Sequence, residues 1–174
     1  MNIPNILTII RIILVPIFVG TFFLVSKWVA LVIFIMAGIT DALDGYIARK
    51  YDMQTELGAV LDPFADKLML MSVLTVFTIR GYMPMIVLII VASKELFMIY
   101  GGIRFYLSKK KIVIPANKYG KTATILFYLS IILITFDFNE ILNNVLIFTA
   151  TASTLVAFIS YYRIAKKKME NIEE

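Results

Sequence analysis

Long apolar segments dominate this chain and constrain its fold more than any other feature. Of its 174 residues, 60% are hydrophobic, which is well above the apolar share of a soluble domain. A helix needs about 20 such residues to cross a bilayer. Segments that approach or exceed this length occur at Ile6–Val25, Trp28–Ala48, Leu57–Ile79, Met85–Leu107, Thr122–Phe136 and Ile141–Ile164. We therefore predict an all-α, polytopic integral membrane protein with six transmembrane helices, forming a single domain over residues 1–174.

The basic residues are unevenly distributed around the predicted helices. Six spans place both termini on one side of the membrane, together with Arg49–Lys50, Lys109–Lys111 and Lys166–Lys168, whereas the other side keeps Lys27 and Arg80. Because positive charge accumulates in cytoplasmic loops, we predict a multi-pass protein of the cell (cytoplasmic) membrane with both termini facing the cytoplasm. The net charge of +5 then suits anionic lipid headgroups of the bilayer and phosphorylated substrates better than nucleic acid.

One polar stretch, residues 41–66, interrupts the apolar pattern on the cytoplasmic side. It carries four carboxylates, those of Asp41, Asp44, Asp62 and Asp66. Helical periodicity places the first two on one stripe of the second helix and the last two on one stripe of the third. The connecting loop is short, so we expect the two helices to be antiparallel and their stripes to meet. Carboxylates at a membrane helix end are costly unless something pairs with them, and this predicts a functional site.

The residue types that are missing restrict the chemistry of this site. The chain contains no cysteine and no histidine, which excludes thiolate nucleophiles, zinc sites of the Cys/His type and the usual general base. Four carboxylates form an oxygen cage that suits one or two divalent cations such as Mg²⁺ or Mn²⁺. The natural proton acceptor is then a carboxylate beside the metal. Small residues on the same faces, such as Gly45 and Gly58, leave space for close helix packing or for a flat ligand.

The polar stretch also has a regular spacing of fixed residues. It reads Asp41-x-x-Asp44-Gly45-x-x-Ala48-Arg49, then eight residues, then Gly58-x-x-x-Asp62-x-x-x-Asp66. This pattern resembles the complete signature of the CDP-alcohol phosphatidyltransferases, in every fixed position and in both gaps. The resemblance implies a metal-dependent enzyme that takes the phosphatidyl group of CDP-diacylglycerol, transfers it to an alcohol and releases CMP.

The resemblance also implies roles for individual residues. The four aspartates would hold two divalent ions on the diphosphate, and Asp66 would be the general base for the acceptor hydroxyl. Gly45, Ala48 and Gly58 would bind the CDP moiety, with Arg49 nearby. A homodimer is implied as well, and small residues in the sixth predicted span, such as Ala150 and Ala157, suit close contact between helices.

The acceptor alcohol is predicted from the remaining basic residues. Cations near the cytoplasmic ends of the spans suit an acceptor that bears phosphate, and the candidates are Lys118, Lys121, Arg104, Lys94 and Arg11. The positive-inside effect explains other lysines equally well, and Lys94 could instead offset the adjacent Glu95.

The start of the chain narrows the choice of acceptor. The run Asn2–Arg11 followed by Pro16 resembles members of the family whose acceptor is sn-glycerol 3-phosphate, and this is the acceptor we predict. Members that use phosphatidylglycerol share this start and a run like Ala37–Asp41, so that acceptor stays open. The rival from another class is a divalent-cation transporter, although transporters usually bind their ions near the bilayer midplane on broken helices.

Overall fold

The computed structural model describes residues 2–53, 55–107 and 118–173, without the side chains of residues 56, 57, 59, 102–107 and 165–173. Every regular element in these ranges is a helix, which confirms the all-α prediction. The elements are α1 Ile3–Leu24, α2 Lys27–Lys50, α3 Glu56–Ile79, α4 Met85–Leu107, α5 Lys118–Thr135 and α6 Glu140–Glu173. They follow the predicted spans closely, except that α5 begins one turn earlier and α6 continues beyond Ile164.

Three of the described helices are long and apolar enough to cross a membrane. They are α1, α2 and the part of α6 from Glu140 to Ile164. Large apolar side chains such as Ile13 and Val32 stay exposed on the outer faces of these helices, as expected where the surroundings are lipid tails rather than water. The finer expectation of six transmembrane helices stays a prediction.

The chain separates into two compact units, Met1–Tyr82 and Met83–Glu174. The first contains α1, α2 and α3, and the second contains α4, α5 and α6. The expected single domain over residues 1–174 stays a prediction.

In the first unit, α1 packs against both α2 and α3, which touch each other much less. An aromatic cluster holds one end of this arrangement together. Phe18 of α1 lies 6.5 Å from Phe34 of α2, and Phe22 of α1 lies 5.5 Å from Phe77 of α3 (ring centroids). The two stripes of aspartates predicted that α2 and α3 face each other directly. In the structure α1 lies between them, because it buries its aromatic side chains against both.

Local signals in the sequence set the helix ends near the polar stretch. The Val29 N–H donates to the Ser26 side chain at the start of α2, and the Gly58 N–H donates to Thr55 Oγ1 at the start of α3 (3.0 Å). After α2, Asp52 has a φ of 51°, a left-handed conformation that aspartate tolerates better than most residues. This turn brings the C-terminal end of α2 beside the N-terminal end of α3.

In the second unit, α6 packs against both α4 and α5. Phe97 of α4 contacts the edge of Phe158 on α6 at a centroid distance of 5.0 Å. Ala150 and Ala157 of α6 are fully buried within this unit. At least this part of the small-residue face therefore packs inside the chain, and the homodimer stays a prediction.

Candidate active site

The four aspartates lie at the end of the first unit where α1 and α3 begin and α2 ends. Asp41 and Asp44 come from the last turns of α2, and Asp62 and Asp66 from the first turns of α3. Their exposure differs widely. The Asp44 side chain is 3% exposed, whereas those of Asp41 and Asp66 are each 46% exposed. The site thus has one buried carboxylate and at least two that are accessible.

Arg11 of α1 joins three of these carboxylates. Its Nη1 lies 2.9 Å from Asp41 Oδ1 and 2.5 Å from Asp66 Oδ1, and its Nη2 contacts Asp44 Oδ2. Arg11 is one of the most deeply buried side chains, at 1% exposure. A charge at this depth is tolerated only with opposite charge around it. Arg11 therefore links α1 to α2 and α3 at the polar end of the unit.

Asp62, the fourth carboxylate, has a different partner on α1. The Thr8 hydroxyl is fully buried and contacts both Asp62 Oδ1 and the Pro4 carbonyl oxygen, the latter at 3.1 Å. One turn earlier, Asn5 Oδ1 accepts a hydrogen bond from Thr55 Oγ1 (3.0 Å). Three polar residues of α1 at helical spacing, Asn5, Thr8 and Arg11, thus face the site.

A cavity of about 200 Å³ lies beside Asp62. Its lining residues are Pro4, Asn5, Gly45, Ala48, Arg49, Met53, Thr55, Gly58 and Asp62. The volume corresponds to roughly seven water molecules, or to one flat ring. A Cβ atom at Gly58 would lie 2.9 Å from Asn5 Oδ1 and 3.1 Å from Thr55 Oγ1, so only glycine fits there without displacing a neighbour.

The structure thus brings together all four residues for which a nucleotide-binding role was predicted. Gly45, Ala48, Arg49 and Gly58 line a single cavity next to an aspartate. The Arg49 guanidinium passes close to Gly45, where a Cβ atom would lie 3.4 Å from Nη1. The roles of these residues in binding the CDP moiety are taken from a resemblance and stay a prediction.

The donor set suits a divalent cation in kind, since all four side chains offer hard oxygen ligands. Among the described residues, no three acidic side chains are arranged so that they could hold one metal ion together. Their positive neighbour is instead the Arg11 guanidinium, which already draws three of them together. One positive charge cannot balance three carboxylates, so the cluster retains an attraction for a further cation.

The other candidates for acceptor binding belong to the second unit. Lys94 forms an ion pair with the adjacent Glu95, at 2.5 Å between Nζ and Oε1. Lys118 and Lys121 lie in the first turn of α5 and are exposed. Arg104 lies in α4, but its side chain is outside the described residues. The ion pair bears out the alternative that Lys94 offsets Glu95, and the acceptor role of all of these residues stays a prediction.

Comparison with known proteins identifies the family. The model of one family, described as CDP-alcohol phosphatidyltransferase, matches residues 1–157. The chain belongs to the CDP-alcohol phosphatidyltransferase family. Membership confirms the resemblance in the aspartate pattern. It makes the protein an enzyme of this class and, together with its apolar helices, a membrane protein. Enzymes of the CDP-alcohol phosphatidyltransferase family generally use divalent cations, in agreement with the chemistry of the donor set.

Curated relatives match the chain along nearly its whole length. Proteins named CDP-diacylglycerol–glycerol-3-phosphate 3-phosphatidyltransferase include one from Rickettsia bellii, 31% identical over 95% of this chain and 96% of the relative. The corresponding protein of Haemophilus influenzae is 34% identical over 99% of this chain and 98% of its own length. That of Aquifex aeolicus is 32% identical over 92% and 94%.

Sequence reasoning missed several residues of this site. The sequence does not place Asn5, Thr8 or Thr55 in it, and it predicts that Arg11 binds the acceptor phosphate, not that it pairs with the aspartates. A signal was available in the spacing, because Thr8 lies three residues after Asn5 and Arg11 three after Thr8. Three polar side chains on one face of an otherwise apolar helix indicate a partner for that face. The family signature, which begins at Asp41 and ends at Asp66, does not include the residues of α1.

Proposed function

We propose that this enzyme transfers the phosphatidyl group of CDP-diacylglycerol to sn-glycerol 3-phosphate, giving phosphatidylglycerophosphate and CMP for phospholipid biosynthesis. The observation that carries the proposal is the cavity lined by Asp62, one helical turn before Asp66, which Arg11 holds together with Asp41 and Asp44. A diphosphate held at the carboxylates would have its nucleoside next to this cavity. Relatives with the name of this activity cover nearly the full length of the chain.

The cavity provides a place for the cytidine end of the donor. Gly45, Ala48 and Gly58 contribute almost no side chain, so the helix backbones can approach a flat base closely. Asn5 and Thr55 add polar atoms to the same wall, where they can hydrogen-bond to a nucleoside. Arg49, at the exposed rim, offers a cation to the phosphates.

We assign the metal-holding role to Asp41, Asp44, Asp62 and Asp66, with two ions of Mg²⁺ or Mn²⁺. When bound, such ions neutralise the diphosphate and stabilise CMP as the leaving group. The chain contributes the oxygen ligands on two helices, α2 and α3, and α1 packs against both of them.

Asp66 takes the proton in the proposed reaction. The acceptor hydroxyl oxygen forms a bond to the phosphorus of the phosphatidyl group, the bond from that phosphorus to the CMP oxygen breaks, and the hydroxyl proton passes to Asp66. The side chain of Asp66 is 46% exposed, so an acceptor can reach it, whereas Asp44 at 3% exposure is shielded. No histidine is present to compete for this role.

An acceptor that bears phosphate requires cations to bind it. Arg11 contacts Asp66 directly, and Lys118, Lys121, Arg104 and Lys94 are the further candidates. Lys118 and Lys121 lie on the first turn of α5, where the positive end of the helix dipole also favours an anion. We propose that these groups select glycerol phosphate over an uncharged alcohol.

The proposed placement in the cell follows from the charge distribution. Six transmembrane helices put the aspartates and both termini on the cytoplasmic side of the cell membrane, where water-soluble glycerol phosphate is available. We propose one membrane domain over residues 1–174, assembled as a homodimer in the bilayer.

A panel of acceptors tests the function. Purified protein in detergent is given CDP-diacylglycerol with Mg²⁺ or Mn²⁺, then one acceptor at a time, and CMP release is measured. We expect the fastest release with sn-glycerol 3-phosphate. Faster release with phosphatidylglycerol would instead indicate a cardiolipin synthase, and a preference for serine or free inositol would contradict a phosphate-bearing acceptor. Metal uptake into proteoliposomes without any CMP release would favour a divalent-cation transporter.

A further inference from the structure

The hydrogen bonding of Arg11 is unusual for a buried arginine with a permanent structural role. An arginine committed to one carboxylate usually donates two parallel hydrogen bonds to it. Arg11 instead places Nη1 against Asp41 and Asp66 and Nη2 against Asp44, each through a single carboxylate oxygen. Its Nε is buried and has no hydrogen-bond partner among the described residues. The guanidinium is thus shared among three carboxylates and matched fully to none.

The same three carboxylates are those proposed to hold divalent ions. A guanidinium and a metal ion that share these oxygens repel each other strongly, because the site is partly buried and poorly screened. Binding of a divalent ion to the same carboxylates therefore favours withdrawal of Arg11 from at least one of them. Its partial pairing makes this withdrawal less costly than the loss of a bidentate pair.

We propose that Arg11 is an exchangeable internal counter-ion. In the metal-free protein it holds Asp41, Asp44 and Asp66 together, and it releases them when a divalent cation binds. The inference rests on the metal-binding role proposed above. Arg11 acts here as a positioning residue, since it keeps the ligands close together and lowers the affinity of the free protein for the metal.

The exchange also explains how Arg11 can serve a second partner. While three carboxylates surround the guanidinium, their excess negative charge keeps a phosphate away, and the buried Nε has no hydrogen-bond partner among the described residues. Once a metal ion has displaced the guanidinium, its positive charge is available to an anionic group at the same site. The acceptor role predicted for Arg11 therefore belongs to the metal-loaded state.

Metal binding without substrate tests this inference. Mn²⁺ affinity is measured by electron paramagnetic resonance on purified protein in detergent, for the wild type, Arg11→Met and Arg11→Lys. Arg80→Met serves as the control, because Arg80 is the exposed cap residue at the opposite end of α3. We expect Arg11→Met to bind Mn²⁺ about tenfold more tightly than the wild type, since a competing cation has been removed, and Arg80→Met to bind like the wild type.

Thermal unfolding gives a second readout. Without divalent ions Arg11→Met should unfold at a lower temperature than the wild type, because its carboxylates lose their counter-ion. Addition of Mn²⁺ should raise the unfolding temperature of Arg11→Met by more than that of the wild type. If Arg11→Met does not fold, the Mn²⁺ affinity of Arg11→Lys tests the inference instead. Its single ammonium reaches fewer carboxylates, so it should bind Mn²⁺ a few-fold more tightly than the wild type.

The outcomes separate this inference from the proposed function. If the wild type binds Mn²⁺ and both Arg11 variants bind it equally or more weakly, the exchange is overturned while the metal-dependent function stands. If the wild type itself binds no Mn²⁺ even when CDP-diacylglycerol is present, the proposed function fails, and the inference with it.

Discussion

Asp62 differs from the other three aspartates in the partner that holds it. Asp41, Asp44 and Asp66 meet a charged guanidinium, whereas Asp62 accepts a hydrogen bond from the neutral hydroxyl of Thr8. It also lines the cavity proposed for the nucleotide. Because Arg11 does not pair with it, Asp62 is the carboxylate of the four at which an added metal ion meets least competition from that guanidinium.

Replacement of Asp62 by asparagine tests the metal chemistry at this residue. The asparagine side chain would keep an oxygen to accept the Thr8 hydroxyl but would lose the charge that binds a cation. For Asp62→Asn we expect CMP release to fall by about two to three orders of magnitude, the scale seen when one electrostatic contact to a transition state is removed. The unfolding temperature should change little.

Asp52→Asn is the matched control for that experiment. Asp52 is exposed and has a positive φ, which asparagine tolerates well, so the same chemical change there should leave turnover intact. If Asp62→Asn keeps more than about a tenth of the wild-type rate, the loss is much smaller than that expected from removal of one electrostatic contact. This result would argue against a metal-binding role for Asp62.

At the scale of the helix, the start of α3 combines a structural and a binding task. Thr55 caps the helix by accepting the Gly58 N–H, and its hydroxyl donates to Asn5 Oδ1 on α1. The same two residues, Thr55 and Asn5, line the cavity. The start of α2 has a simpler cap, in which Ser26 accepts the Val29 N–H at 3.3 Å.

This difference between the two caps gives a paired prediction. Thr55→Ala and Ser26→Ala should each destabilise the protein by about 1 kcal/mol through loss of the cap, observed as a lower thermal unfolding midpoint. Only Thr55→Ala should also raise the KM for CDP-diacylglycerol, by several-fold, since Asn5 loses the donor that fixes its side chain. Thr55→Ser should restore both quantities. An equal change of KM in the two alanine variants would argue against a role of Thr55 and Asn5 in binding the nucleotide.

At the scale of the whole molecule, the absence of cysteine allows topology to be measured without background. Lys50→Cys, at the end of α2, and Phe138→Cys, between α5 and α6, are exposed positions. With six spans and cytoplasmic termini, a membrane-impermeant maleimide should label the first variant only in inside-out vesicles and the second only in right-side-out vesicles. Labelling of both from the same side would contradict six spans in this orientation.

The sequence predicted much of the fold because the signals concerned are local. Apolar segments separated by short polar turns located the six described helices to within a few residues at most ends. The misplaced ends, at Lys118 and beyond Ile164, lie in basic stretches where hydrophobicity carries no information about helix boundaries. The grouping of Asp41 with Asp44 and of Asp62 with Asp66 follows from helical periodicity alone.

What the sequence determined by itself was therefore the helices, the carboxylates that each displays and, through their spacing, the family. Only the tertiary structure decided that α1 lies between α2 and α3 and supplies Arg11, Thr8 and Asn5 to the site. The physical reason is that spacing along one helix specifies which side chains share a face, whereas the partner of that face depends on packing between helices distant in the chain, here fastened by the aromatic cluster of Phe18, Phe22, Phe34 and Phe77.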